Sequence, residues 1–179
     1  TTRGWSARSP RSASSCRRSI SRRTSKDGGA KDAASFSSVS TGSSPVIPPI
    51  PGLDEVPYFT NETIFDVNER IQHLIVLGGG PTGFEIAQAH RMLGAHVTIV
   101  DAATFLAHED PEASRVVIDR LSESGVMLHA GTRVERVERA IQGVAVHIGK
   151  QGETEVIKGS HLLVATGRKP NVKGLSLER

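Results

Sequence analysis

Gly78-Gly79-Gly80-Pro81-Thr82-Gly83 directly follows the apolar run Leu74-Ile75-Val76-Leu77, and Asp101 closes a second apolar run, Val97 to Val100. Residues of these types at this spacing serve one kind of chemistry, the holding of a pyrophosphate and a ribose. Gly78 permits a tight turn out of a strand, Gly80 leaves the backbone bare to an approaching phosphate, and Gly83 lets a helix lie close on the strand. A helix opening near Pro81 and Thr82 turns free N–H groups and the positive end of its dipole towards the phosphates. Pro81 suits the first helical turn, where its missing N–H costs little. Asp101, about 20 residues past the loop, is placed to accept hydrogen bonds from adenosine ribose hydroxyls. Its charge repels a 2′-phosphate, and Ala102, Ala103 and Thr104 supply no compensating cation, so the pattern reads as NAD in preference to NADP. Glu85 has two readings: a polar contact towards the nicotinamide end, or a solvated first-turn acid stabilised by the helix dipole. The pattern therefore predicts a dinucleotide site, with a plain strand-to-helix turn as the alternative.

The elements that must position these residues are legible around them. Leu74 to Leu77 reads as a buried strand and Gly83 to Leu93 as a helix that Gly94 ends; Val97 to Val100 reads as the next strand. Asp110-Pro111 has the form of an N-cap followed by proline at the first helical position. The helix it opens carries Val116, Val117 and Leu121 and stops before Gly125, and Val126 to Leu128 gives a third parallel strand. After Gly131 the period becomes two. Arg133–Val137, Val144–Ile148 and Glu153–Ile157 alternate polar with apolar, which predicts a three-stranded antiparallel meander. His161 to Ala165 returns as a buried strand ending at Thr166-Gly167. The fold class expected is α/β, a Rossmann-like parallel sheet of βαβ units with an antiparallel meander.

Composition narrows the rest. The 179 residues are 37% hydrophobic, enough for one core, and no apolar run approaches the roughly 18 residues of a membrane span. Cys16 is the single cysteine, so no internal disulfide or Cys-x-x-Cys site exists in this sequence, and a reducing cytoplasm is the expected setting. The seven histidines show neither His-Glu-x-x-His nor metal spacing, and there is no Gly-x-Ser-x-Gly elbow, so no hydrolase or metal chemistry is predicted. His73, His90, His96, His129, His147 and His161 read as surface or strand-edge residues. Arg168 and Lys169, just past Gly167, read as surface residues or as ligand or interdomain contacts.

The net charge of +3 conceals two unlike segments. Residues 1–26 hold seven Arg and one Lys with no acid; without those eight, 14 basic residues face 19 acids, so residues 27–179 carry −5. Residues 1–39 are rich in Ser, Arg, Gly and Ala without apolar period and read as disordered. Three explanations stand: an organellar transit peptide, a nucleic-acid contact, or sequence that is not a native folded part, such as an out-of-frame or truncated beginning. Residues 40–54, with Pro45, Pro48, Pro49 and Pro51, read as an extended stretch, and residues 55–70 as a connector with one short helix.

Leu74 to Ala87 followed by Leu93 to Asp101 resembles the NAD-binding domain of the pyridine nucleotide–disulfide oxidoreductases, within their dihydrolipoamide dehydrogenase and mercuric reductase branch. Ser40-Thr41-Gly42-Ser43-Ser44-Pro45 is similar to the first Ala-Thr-Gly motif of that family, and Ala165-Thr166-Gly167-Arg168-Lys169-Pro170-Asn171 to its second. The resemblance implies that Gly78, Gly80, Gly83 and Asp101 hold NAD, with Pro81 and Thr82 between them. It implies that Glu85 lies near the nicotinamide, that Thr41 and Gly42 lie beside a flavin, and that Gly167 marks the return to the FAD-binding domain. It further implies hydride transfer between nicotinamide and FAD, which reduces a cysteine pair or another acceptor.

The sequence also departs from that family. A first Gly-x-Gly-x-x-Gly for FAD and the redox cysteine pair are absent from it, Ser40 stands in place of Ala, and the residues before Ser40 do not match the family. Its remaining FAD contacts and its dimerisation domain, with a His-Glu pair, would lie past Arg179. The organisation expected is residues 1–39 as a disordered segment and 40–70 as a remnant of the FAD-binding domain and connector. An NAD-binding domain follows over 71–170, with 171–179 returning towards the FAD-binding domain. The chain is then the central piece of a longer, homodimeric flavoenzyme, binding NADH weakly and inactive alone, with no catalytic residue of its own. A non-catalytic NAD-sensing module with a basic tail and a stand-alone dehydrogenase are the competing readings.

Overall fold

In the computed structural model, residues 40–150 and 152–175 are described; the reading of residues 1–39 as disordered, and Cys16 with it, lies outside them. The chain divides into two units, Ser44–Lys169 and a smaller one whose described residues are 40–43 and 170–175. In order, the elements are β1 (Ser43–Pro45), β2 (His73–Leu77), α1 (Pro81–Met92), β3 (His96–Val100), α2 (Pro111–Glu123), β4 (Met127–His129), β5 (Arg133–Ala140), β6 (Gly143–Lys150), β7 (Glu153–Gly159), β8 (His161–Val164) and β9 (Arg168–Pro170). Short 3₁₀ turns occupy Leu53–Glu55 and Ile64–Asp66. β1 and β9 pair as a two-stranded ribbon.

The parallel sheet has the order β4-β3-β2-β8, with Leu77 level with Val100 on one side and with Val164 on the other. Its central strands are apolar at successive positions, Thr98 apart, because both faces are covered. Leu74, Val76, Val97 and Ile99 pack with Phe84, Ile86, Ala87 and Leu121 of the helices. Ile75, Leu77, Val100, Leu162 and Val164 pack with Val137, Val144, Val146, Ile148 and Ile157 of the meander β5-β6-β7. Each such Val, Leu, Ile or Phe side chain contributes about 1.5–3 kcal/mol on full burial, so the two clusters hold the sheet rigid beneath the loops at its ends.

The helices end where their sequences stop supporting them. Gly94 (φ 89°) and Gly125 (φ 87°) take the left-handed conformation that closes α1 and α2. Asp110 caps α2, its Oδ1 accepting from the N–H groups of Glu112 and Ala113 at 3.0 Å each.

The proline-rich stretch is more tightly held than a connector. Leu53, Val56, Ile64 and Ile71 are buried. The Phe59 N–H donates to the Leu162 carbonyl at 2.8 Å, and the Val164 N–H donates to the Phe59 carbonyl at 2.8 Å, so this segment covers the open edge of β8. Proline sets an extended backbone, and the apolar residues spaced between the prolines still bury. That second signal is what the reading of this stretch as a linker passed over. The histidines also differ from their surface reading in part. His147 is buried in the middle strand of the meander with Nε2 2.8 Å from Glu138 Oε1, and His73 Nε2 lies 2.8 Å from Thr98 Oγ1. Burial holds the imidazole of His73 below the usual histidine range.

Candidate functional site

Of the four glycines from the end of β2 to the first turn of α1, three are dictated by the fold and one is not. Gly78 has φ 113°, and a Cβ there would overlap the carbonyl of Ala165. A Cβ on Gly79 would overlap the ring of Phe105, and one on Gly83 would overlap the carbonyl oxygen of Gly78. Gly80 is different. Its backbone (φ −83°, ψ 178°) suits any residue, and a Cβ would meet nothing within 4 Å. The space in front of Gly80 is thus open, as a cradle for a phosphate must be, and glycine there serves no packing need of the chain itself.

Gly80 is also the N-cap of α1, and no side chain caps that helix. The first-turn N–H groups of Thr82 and Gly83 consequently have no partner within the helix, while Pro81 has no N–H to offer. The contrast with α2 is instructive. Asp110 closes that N-terminus with a carboxylate; α1 leaves its positive end clear for an anion from outside.

Asp101 holds the loop in place. Its Oδ2 accepts from the N–H of Gly79 at 2.6 Å and its Oδ1 from the N–H of Ala103 at 2.7 Å. The Leu106 N–H donates to the Gly79 carbonyl at 2.8 Å, and the Gly78 N–H to the Val100 carbonyl at 2.9 Å. Leu106 reaches this position with φ 51°, a strained conformation for leucine. Both backbone groups of Gly79 are therefore tied to the segment after β3. The sequence pointed Asp101 at a ribose; the geometry adds a duty within the protein. Replacing Asp101 by alanine should lower stability by about 2–4 kcal/mol, since two charge-assisted bonds vanish and the buried Gly79 N–H is orphaned. Urea denaturation checks this: an acid serving a ligand alone would leave the midpoint of the free protein unchanged.

Gly78, Pro81, Glu85 and Asp101 line two cavities of the larger unit. One, of about 290 Å³, is lined by Leu77, Gly78, Val100, Asp101, Ala102, Thr132, Arg133 and Thr166 among others. It opens at the C-terminal ends of β2 and β3, and β2 is where the strand order reverses, the place at which open α/β sheets take ligands. Glu85 lines the other, a groove of about 330 Å³ between α1 and α2, together with Pro81, Gln88, Glu109 and Ser114. Asp101 and Glu85 thus face different spaces. Thr132 and Arg133 were missed in the sequence because they follow Asp101 by some thirty positions; only the bonds from Thr132 N–H to the Asp101 carbonyl (2.8 Å) and from Gly131 N–H to the Ala103 carbonyl (3.0 Å) bring them alongside.

The remaining candidates sit at the ends of the described chain. In the smaller unit the carbonyl of Gly42 (φ 74°) accepts from the Asn171 N–H at 2.9 Å, and that of Thr41 from Asn171 Nδ2 at 3.2 Å. In the larger unit the Gly167 carbonyl accepts from the Val46 N–H at 2.9 Å, and the Thr166 hydroxyl donates to the Val46 carbonyl at 3.0 Å. Arg168 donates to Asn61 Oδ1 at 2.8 Å and Glu62 Oε1 at 3.0 Å, fastening the end of the unit to residues 61 and 62.

Residues 17–179 match the family model for pyridine nucleotide–disulphide oxidoreductases. The chain belongs to that family. Members are FAD-dependent oxidoreductases that use a pyridine nucleotide, and the match reaches back to residue 17, so the stretch before Ser40 is less foreign to the family than its composition implied. Among curated relatives, mercuric reductase from Streptomyces lividans is 39% identical over 142 residues, which are 79% of this chain and 30% of that reductase. The mercuric reductase of Lysinibacillus sphaericus is 39% identical over 150 residues, 83% of this chain and 28% of that one. Among solved structures of this kind, the Cu(II) complex of the HOCl-induced flavoprotein disulfide reductase RclA from Escherichia coli aligns with TM-score 0.67 and 33% identity, over 76% of this chain and 31% of that one. LpdA from Mycobacterium tuberculosis aligns with TM-score 0.65 and 31% identity, over 91% of this chain and 38% of that one. The chain therefore spans about a third or less of the curated oxidoreductases it matches. Among the described residues, no helix is long and apolar enough to cross a membrane.

Proposed function

We propose that this chain supplies the pyridine-nucleotide site of an FAD-dependent oxidoreductase, holding NAD(H) over the C-terminal ends of β2 and β3. When bound, the nicotinamide carries a hydride to or from the flavin of the full-length protein. The observation that carries this reading is Gly80, a glycine with ordinary dihedrals whose missing Cβ leaves space that no part of the chain fills. Gly78 and Gly83 shape the loop, Pro81 opens α1, and the N–H groups of Thr82 and Gly83 meet the pyrophosphate. Asp101, already fixed by Gly79 and Ala103, offers its remaining lone pairs to the adenosine ribose, and Glu85 extends towards the nicotinamide end. Thr41 and Gly42 belong beside the flavin, and Gly167 marks the return towards the FAD-binding domain; the principal flavin-binding residues, with those for homodimer formation, lie in other parts of the full-length enzyme.

Hydrogen–deuterium exchange with and without saturating NADH tests the assignment. Slowed exchange at Gly79 and over Thr82–Phe84 supports it, while protection confined to the meander contradicts it. The same reading expects the purified chain to retain no flavin. A preparation that stays yellow through gel filtration would show that FAD is held by this segment and would overturn the division of labour.

A further inference from the structure

Asp101 is the residue by which this site would refuse a 2′-phosphate, yet its charge does not act alone. Both of its oxygens already accept a backbone N–H, from Gly79 and from Ala103, which spreads part of the negative charge into the loop. Arg133, the first residue of β5, is exposed, has no ion-pair partner among the described residues, and lines the same cavity as Asp101, Ala102 and Gly78. The backbone bonds of Gly131 and Thr132 to the 101–103 turn hold the start of β5 at that rim. A guanidinium so placed is a planar, permanently charged donor suited to two oxygens of one phosphate.

We propose that Arg133 is a specificity-determining residue: it pairs with the 2′-phosphate of NADP(H) beside Asp101, so the chain accepts both nicotinamide nucleotides. This rests on the dinucleotide reading above and refines it. Asp101 favours the bare ribose, Arg133 favours the phosphorylated one, and the selectivity of the site is the difference between them.

Calorimetric titration of the full chain with NADH, NADPH, AMP and adenosine 2′,5′-bisphosphate tests this, the last two isolating the 2′-phosphate. The wild-type protein should bind NADPH within about tenfold of NADH. Arg133→Ala should lower the ratio of NADPH to NADH affinity, and of the bisphosphate to AMP, by about tenfold, one charge-assisted contact, and Arg133→Lys should restore part of each ratio. If Arg133→Ala weakens both nucleotides equally, Arg133 serves the shared pyrophosphate and the proposal is wrong. If the ratios do not move, or wild type takes NADH but no NADPH, it is equally wrong. If a folded wild-type chain binds neither nucleotide, the underlying dinucleotide reading falls with it.

Discussion

Gly80→Ala should lower NADH affinity at least about thirtyfold, roughly 2 kcal/mol of binding free energy, while the protein stays folded. The added methyl group enters the space in front of the loop, where, its own residue and chain neighbours apart, the structure has no atom within 4 Å of it. The unliganded protein therefore has little to object to. Its φ of −83° is ordinary for alanine, and the exchange at an N-cap costs less than about 1 kcal/mol, or a few degrees in Tm. A ligand that must approach the backbone closely meets the methyl directly. Titration of NADH against parent and variant, with thermal melts of both, checks the pair of expectations. Unchanged affinity would mean that the phosphates do not pass over Gly80, and a collapsed fold would mean that the glycine is structural after all.

Gly83→Ala should do the opposite, lowering stability by about 2–4 kcal/mol even before any ligand is added. Position 83 lies inside α1, where alanine is intrinsically favoured over glycine by about 1 kcal/mol. Packing reverses that preference. The new Cβ would overlap the Gly78 carbonyl oxygen, with Val76 Cγ1 3.4 Å away, so α1 must lift from β2 or the loop must shift. Either movement disturbs the loop, and NADH binding should fall together with stability. A urea midpoint about 1–2 M below that of the parent is the expected reading. A variant as stable as the parent would show that α1 can move away from β2 at little cost.

The two substitutions separate what the sequence could reveal from what it could not. The spacing of Gly78, Gly80, Gly83 and Asp101 was readable because it repeats a local rule: a strand, a turn, a helix end and an acid after the next strand. The same locality made the Asp110-Pro111 start of α2 and the three-stranded meander legible, since caps and period-two alternation act over a few residues. The packing of residues 53–71 was not legible. Their prolines signal an extended path, whereas their burial depends on β8 and on the meander, which lie about a hundred positions further on. Arg133 was hidden for the same reason. Nothing near Asp101 in the sequence supplies a cation, and the one that lines its cavity arrives from the start of β5. Glu85 shows the limit from the other side: helix geometry places it at the start of α1, but only the fold shows that it faces the groove between the helices, apart from the cavity that holds Asp101.

Isothermal titration of the purified, folded chain with NADH is the most direct test of nucleotide binding at this loop. One saturable site with a Kd between about 1 µM and 1 mM, abolished or weakened at least about thirtyfold by Gly80→Ala, is the predicted result. A folded chain that takes up no NADH at millimolar concentration, or binds it equally well with alanine at position 80, would contradict it.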